Sequence, residues 1–171
     1  PSIPEISLRQ AGPKTGLSHL YDNLYDDGPA PYWAFSWGGG LGLARYVLDH
    51  PDVVAGKAIL DLGTGSGLVA IAAAMAGAKS VLASDIDPYA IASARVNSDE
   101  NQVAINTMTG NLLASDPPDV DVVLVGDLFY EAALADRVTD FLARCRTRRI
   151  RVLVGDPGRR FLPRDRLTFL A

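Results

Sequence analysis

Asp61-Leu62-Gly63-Thr64-Gly65-Ser66-Gly67 constrains this chain more than any other stretch. It follows a short apolar run of strand type, Ala58-Ile59-Leu60, and opens onto an alanine-rich apolar run, residues 68–76, of helix type. Glycines let a backbone approach a ligand closely, and a helix N-terminus presents free amides. Strand, glycine turn and helix in this order are a cofactor-binding arrangement of α/β proteins, with a bare glycine turn as the alternative. A nicotinamide dinucleotide sets its pyrophosphate at such a turn through G-x-G-x-x-G. Here the third glycine comes one residue early, position 68 is Leu, and an acid stands two residues before the first glycine. A carboxylate at the turn suits a cation better than a phosphate. S-adenosylmethionine (AdoMet) carries an ammonium and a sulfonium and no phosphate.

From residue 57 onward the chain alternates. Strands are expected at 58–62, 80–85, 120–126 and 150–155, with a weaker one at 103–108. Helices are expected at 41–48 after the Gly38-Gly39-Gly40 turn, and at 67–77, 88–97, 131–145 and 163–170. This alternation implies an α/β fold: a mostly parallel sheet with helices on both faces. Ile3–Leu8 reads as a short edge strand, where Pro4 is tolerated, and a short helix is expected around 17–25. The chain reads as one domain over 1–171, with an N-terminal, substrate-side arm at 1–40 and a Rossmann-like core at 41–171. Both ends look cut, and the antiparallel strand pair that normally closes such folds is not in the sequence.

Bulk properties narrow the class. No apolar run is long enough to span a bilayer, and the N-terminus does not look like a signal peptide. The single Cys145 excludes an internal disulfide, and one Cys with two His argues against a zinc cluster. A reducing compartment is the simplest setting. Charge is uneven: residues 1–136 hold 6 basic and 17 acidic side chains, residues 137–171 hold 10 arginines and 3 acids. The cluster Arg144, Arg146, Arg148, Arg149 and Arg151 fits either a nucleic-acid surface or a solvated helix end. Aromatics do not interleave with it, which favours the second reading.

Three further places carry chemistry. Ser80–Asp85 is a strand ending in an acid, where a carboxylate can accept hydrogen bonds from ribose hydroxyls. Asp85 suits that role, while Asp87, before Pro88, suits a helix cap. Asn111, after the weak third strand, fits either an adenine contact or turn chemistry. Val122–Gly126 runs into Asp127-Leu128-Phe129-Tyr130, at the carboxyl end of a buried strand, where sites form in this architecture. Asp116-Pro117-Pro118-Asp119 precedes that strand and has no aromatic, so it is a loop and not the Asn/Asp-Pro-Pro-aromatic motif of glutamine or adenine methylation. Both tryptophans, Trp33 and Trp37, fall within 31–40 and fit either a cation-facing cage or an apolar plug.

Taken together, Pro31-Tyr32-Trp33-Ala34-Phe35-Ser36-Trp37, Asp49-His50-Pro51-Asp52-Val53-Val54, the glycine motif, Asp85-Ile86-Asp87-Pro88, Gly126-Asp127-Leu128-Phe129-Tyr130-Glu131 and Gly155-Asp156-Pro157-Gly158-Arg159 resemble the lysine methyltransferases of the electron transfer flavoprotein β-subunit. The resemblance runs over about residues 31–160. It departs from the family at Gly38, where Pro is common, and over residues 9–28. It implies an AdoMet-dependent protein-lysine N-methyltransferase of the group marked by Asp/Glu-x-x-Tyr/Phe, here Asp127 to Tyr130. Asp127 and Tyr130 would be catalytic. Trp37, Asp61, Gly63, Thr64, Gly65, Gly67, Asp85, Ile86, Asn111 and Gly126 would hold AdoMet, and Trp33, Phe129 and Asp156 would meet the substrate. A monomer without metal is expected, acting on a protein and on neither nucleic acid nor membrane. Its setting is expected to be the bacterial cytoplasm, or the mitochondrial matrix in a eukaryote. Methylation of another protein, such as a ribosomal one, and AdoMet binding without catalysis are the competing readings.

Overall fold

A computed structural model describes residues 3–11, 17 and 31–170. Five parallel strands form one sheet: β1 (Ala58–Leu62), β2 (Ser80–Asp85), β3 (Asn106–Thr109), β4 (Val122–Gly126) and β5 (Arg151–Gly155). Their order is β3-β2-β1-β4-β5. Asp61 pairs with Ala83 on one side and Leu124 on the other. The order reverses between β1 and β4, and ligands of such sheets bind beyond the carboxyl ends at that switch point.

Alternate residues of a strand face opposite sides of the sheet. Ile59, Val81, Val122 and Leu124 therefore join one core, with helices α1 (Gly38–Asp49) and α2 (Leu68–Met75). Leu60, Leu62, Val123 and Val125 join the other, under α4 (Ala132–Thr147) with Val138, Phe141 and Cys145. The helix α3 (Pro88–Glu100) lies beside α2 over β2 and β3. Both sheet faces are covered, as the near-continuous apolar strands require. No described helix is long and apolar enough to cross a membrane.

The expected core strands and helices are present, with differences at the margins. The helix expected at 41–48 starts at Gly38, so the three glycines form its first turn. A Cβ on Gly39 would lie 2.2 Å from the Gly155 carbonyl oxygen, so only glycine lets this turn rest on the end of β5. The third strand is confined to 106–109 instead of 103–108. The expected helix at 163–170 is only a 3₁₀ turn, Arg164–Arg166. Phe169 and Leu170 beyond it are exposed, and so short a helix is marginal without a surface to pack on. Ile3–Leu8 is not a strand. Ser7 N instead donates to Oδ1 of Asn101, the C-cap of α3 (2.9 Å), and the following Arg9 N donates to Asn97 Oδ1 of α3 (2.8 Å). The helix expected around 17–25 falls almost wholly outside the described residues.

Candidate active site

The carboxyl end of β1 turns through Gly63 and Gly65, both at positive φ (70° and 54°), a conformation L side chains rarely adopt. The amides of Gly63 and Thr64 donate to the Ser84 carbonyl at 2.9 and 3.0 Å, tying the turn to β2. Asp61 points beneath it. Its Oδ2 accepts from Thr64 Oγ1 (2.6 Å) and from the Ala70 amide of α2 (3.0 Å). Its Oδ1 is buried and has no hydrogen-bond partner among the described residues. Burial pushes this carboxyl up to about 7, with a further push from Asp85, against the pull of the two hydrogen bonds. Burying an ionised carboxylate is costly unless it is paired, so a cation beside Oδ1 would stabilise the charged form.

Asp85 ends β2 as expected. Its Oδ2 accepts from the Gly65 amide (2.9 Å) and its Oδ1 from the Asp87 amide (3.0 Å). Burial raises this carboxyl above the ordinary range, while those amides lower it. Asp87 caps α3 by accepting from the Tyr89 amide at 2.8 Å. A pyrophosphate here would face two acids, which removes the dinucleotide reading on charge. An AdoMet ammonium fits the unpaired Asp61 oxygen, and the ribose hydroxyls fit Asp85, whose oxygens each keep a lone pair.

At the carboxyl end of β4 stands Asp127, 8% exposed and at φ 60°. A left-handed conformation costs a non-glycine residue roughly 1–2 kcal/mol, and surrounding contacts hold it. The Asp127 amide donates to the Gly155 carbonyl (2.9 Å). Its Oδ2 accepts from the Gly40 amide in the first turn of α1 (2.6 Å), and its Oδ1 pairs with the Arg159 guanidinium. Asp156 organises the next loop: its Oδ1 accepts from the amides of Gly158 (2.7 Å) and Arg159 (2.6 Å). Its buried Oδ2 lies 3.7 Å from Arg159 Nη1. Asp156 thus holds Arg159 against Asp127 instead of presenting itself to a substrate.

One cleft joins the two ends. Asp61, Gly63, Thr64, Gly65, Gly126 and Asp127 line it, together with Tyr32, Trp37 and Gly40. Tyr32 meets Trp37 edge-on (5.9 Å between centroids) and lies 5.4 Å from Tyr130. Trp37 Nε1 donates to the Tyr32 carbonyl (2.8 Å), fixing the pair. Tyr130 is 45% exposed, and burial of the remainder raises its hydroxyl above its ordinary value. Ile86 is exposed just after Asp85 and offers a free apolar face on the cofactor side.

Four other expected site residues make contacts within the fold. Phe129 is fully buried in the core under α4, so it cannot meet a substrate. A Cβ on Gly67 would lie 3.0 Å from Ala94, so that glycine serves the packing of α2 on α3. Asn111 Oδ1 accepts from the Leu113 amide (3.1 Å) as the cap of a 3₁₀ turn, Leu112–Ala114, which is its turn-chemistry alternative. Trp33 stacks on Tyr89 at the start of α3 (6.5 Å between centroids), and its Cα lies 3.7 Å from where a Cβ on Gly65 would stand, beside the glycine turn. In the arginine cluster, Arg144 donates to the carbonyls of Leu113 and Ser115, and Arg148 to that of Pro117. These two brace the loop before β4. The sequence reading missed Gly40, Tyr32 and Arg159; Gly-Asp-Pro-Gly-Arg contained Arg159 but gave no partner for it.

A five-stranded parallel sheet with this glycine turn and these strand-end acids defines a class I, Rossmann-like methyltransferase fold. The family model for ribosomal protein L11 methyltransferase (PrmA) matches residues 45–138, more than half of the chain, and the chain belongs to that family. It is 44% identical over 158 residues to the electron transfer flavoprotein β-subunit lysine methyltransferase of Danio rerio, covering 91% of this chain and 61% of that protein. The chain thus spans about three fifths of the length of the curated relatives it matches. Among solved structures it resembles a ribosomal protein L11 methylase from Lactobacillus delbrueckii subsp. bulgaricus. That match has TM-score 0.53 and 30% identity, over 64% of this chain and 56% of that one. It also resembles an RNA methyltransferase from Salinibacter ruber in complex with S-adenosyl-L-homocysteine. There the TM-score is 0.50 and the identity 25%, over 59% of this chain and 65% of that one.

Proposed function

We propose that this protein is an AdoMet-dependent protein-lysine N-methyltransferase whose substrate is the electron transfer flavoprotein β-subunit. The observation that carries the reading is the single cleft that joins a cation-seeking acid, Asp61, to a strained strand-end acid, Asp127. The names of the relatives that match over most of this chain support the substrate.

AdoMet, when bound, supplies the methyl group and takes the electron pair of the broken carbon–sulfur bond on its sulfur. Asp61 and the turn amides would hold the amino-acid end, and Asp85 the ribose. Ile86 would cover an apolar face, and Trp37 with Tyr32 would close the cleft from above. The attacking lysine nitrogen must be neutral. An exposed lysine has pKa ~10.4, so deprotonation at pH 7 costs roughly 5 kcal/mol. Desolvation beside Tyr32, Trp37 and Tyr130 lowers that cost. Asp127 would orient the amine through a free lone pair, and Tyr130 at the rim would take another of its hydrogens. Both protons lost by the nitrogen, before and after attack, pass to solvent. Alignment of the amine would supply most of the rate gain.

Intact-mass measurement of the flavoprotein subunit, incubated with enzyme and AdoMet, tests the reading. A gain of whole methyl groups, mapped to lysine by peptide fragmentation, is expected. Transfer to a ribosomal protein but not to this subunit would favour the alternative suggested by the family description. AdoMet binding without transfer to any protein would leave only a binding module.

A further inference from the structure

The group that contacts Asp127 is an arginine, and this bears on how a lysine could react there. Asp127 and Asp156 are both largely buried, with side-chain exposures of 9% and 1%, and Arg159 lies between them. Asp156 clamps the Arg159 backbone through two amides, so the guanidinium is delivered by a built loop and not by a floating surface side chain. Arg164 closes the loop by donating to the Gly158 carbonyl at 2.8 Å. A bare Asp127 would bind a lysine as ammonium, the unreactive form, because an opposite charge nearby favours the charged state.

We propose that Arg159 is a positioning residue for the methyl transfer: it fixes the Asp127 carboxylate and offsets its charge, so that the amine meeting Asp127 is neutral. This rests on the lysine methyltransferase reading above. The other ionisable groups around the cleft include Asp61 and Asp85 at the ends of β1 and β2, Tyr130 and Glu131 after β4, Arg137 on α4, whose charge acts on Tyr130, and Tyr32 on the segment before α1. The first turn of α1 brings only glycines and the Gly40 amide. Arg159 is thus the cation that meets Asp127 among the described residues.

The experiment is the pH profile of kcat/KM and kcat with the flavoprotein subunit as substrate, with AdoMet affinity measured in parallel. Arg159→Gln removes the charge but keeps donors. Its ascending limb in kcat, which reports the bound amine, should move up by about one pH unit, giving roughly tenfold lower kcat at neutral pH that recovers toward pH ~10. Asp156→Asn keeps the acceptor for the two loop amides and removes a negative charge, so its limb should move to lower pH. Arg159→Lys should hold the limb near its wild-type position, whatever it does to the rate. AdoMet affinity should be unchanged in all three. A loss in Arg159→Gln that is the same at every pH means a structural role and overturns the proposal. So does an Asp156→Asn limb that fails to move, a test that stands even where Arg159→Gln does not fold. Transfer by wild type with unmoved limbs in the variants defeats this inference alone. No transfer to lysine by wild type defeats the functional reading and this inference with it.

Discussion

The two ends of the cleft treat buried acid in opposite ways. Among the described residues, Asp61 and Asp85 at β1 and β2 are supported by backbone amides and one hydroxyl, and one Asp61 oxygen has no partner. At β4 and β5, Asp127 has an arginine and a helix amide, and Asp156 has two loop amides with the same arginine nearby. The first pair is short of positive charge and the second is nearly supplied with it. A buried charge without a partner costs stability, while a paired one is held in place. On the proposed reading, the first end gains a cationic ligand and the second positions a reactive group without trapping it as a cation.

The largest expected effect is at the paired end. Asp127→Ala should lower turnover at saturating AdoMet on the order of 10²-fold, because misplacing the amine by about 1 Å costs that much. AdoMet affinity, measured by calorimetry, should stay close to wild type. Asp127→Asn tolerates the left-handed backbone better than most residues and keeps one acceptor, so partial activity there with none in Ala would assign the role to hydrogen bonding.

Next comes the unpaired end. Asp61→Asn keeps the acceptor for Thr64 and Ala70 but loses the charge. A charge-assisted hydrogen bond is worth ~1.5–3 kcal/mol, so AdoMet affinity should fall about tenfold to a hundredfold. Stability should move the other way. The folded carboxyl titrates near 7 and the unfolded one near ~3.9. Between those values the folded state binds more protons, so wild-type stability falls as pH rises through that window and then levels off. Denaturant melts of Asp61→Asn should lack that fall, leaving it the more stable protein above pH 7. A variant that melts in parallel with wild type across this range would break the contrast between the two ends.

Asp85→Ala should weaken AdoMet about tenfold, since it removes an acceptor and also frees the Gly65 and Asp87 amides. Asn111→Ala should change affinity by less than about threefold, with only a small loss of stability from an exposed cap. A tenfold loss of affinity there would return Asn111 to the adenine site.

The pattern of what was legible follows from range of interaction. Strand and helix periodicity, the glycine turn and the acids at strand ends are local signals, and β1, β2, β4 and β5 with their helices stand close to where the sequence puts them. The acids Asp61, Asp85 and Asp127 come to one end of the sheet because parallel topology brings all carboxyl ends together. Partners were not legible. Arg159 reaches Asp127 across 32 residues and Gly40 reaches it across 87, contacts that no local spacing encodes. Phe129 was misread for a related reason: an aromatic beside a motif residue has no fixed direction until the sheet decides which face it enters. Residues 163–170 carry a helical pattern, but only Arg164–Arg166 form a 3₁₀ turn, and Phe169 and Leu170 stay exposed.

The most direct test of the contrast is calorimetric titration of AdoMet into wild type and Asp61→Asn from pH 6 to 8.5, in buffers of different ionisation enthalpy. Wild type should bind more tightly as pH rises toward about 7 and should release a proton on binding, because the ligand draws Asp61 into its charged form. The variant should bind weakly and lack that component. The ligand's own amine titrates near ~7.7–8.0 and affects both proteins alike, so the difference between them isolates Asp61. Equal affinities with superimposable pH dependence, or tighter binding of NAD than of AdoMet, would contradict a cofactor end built on an unpaired carboxylate.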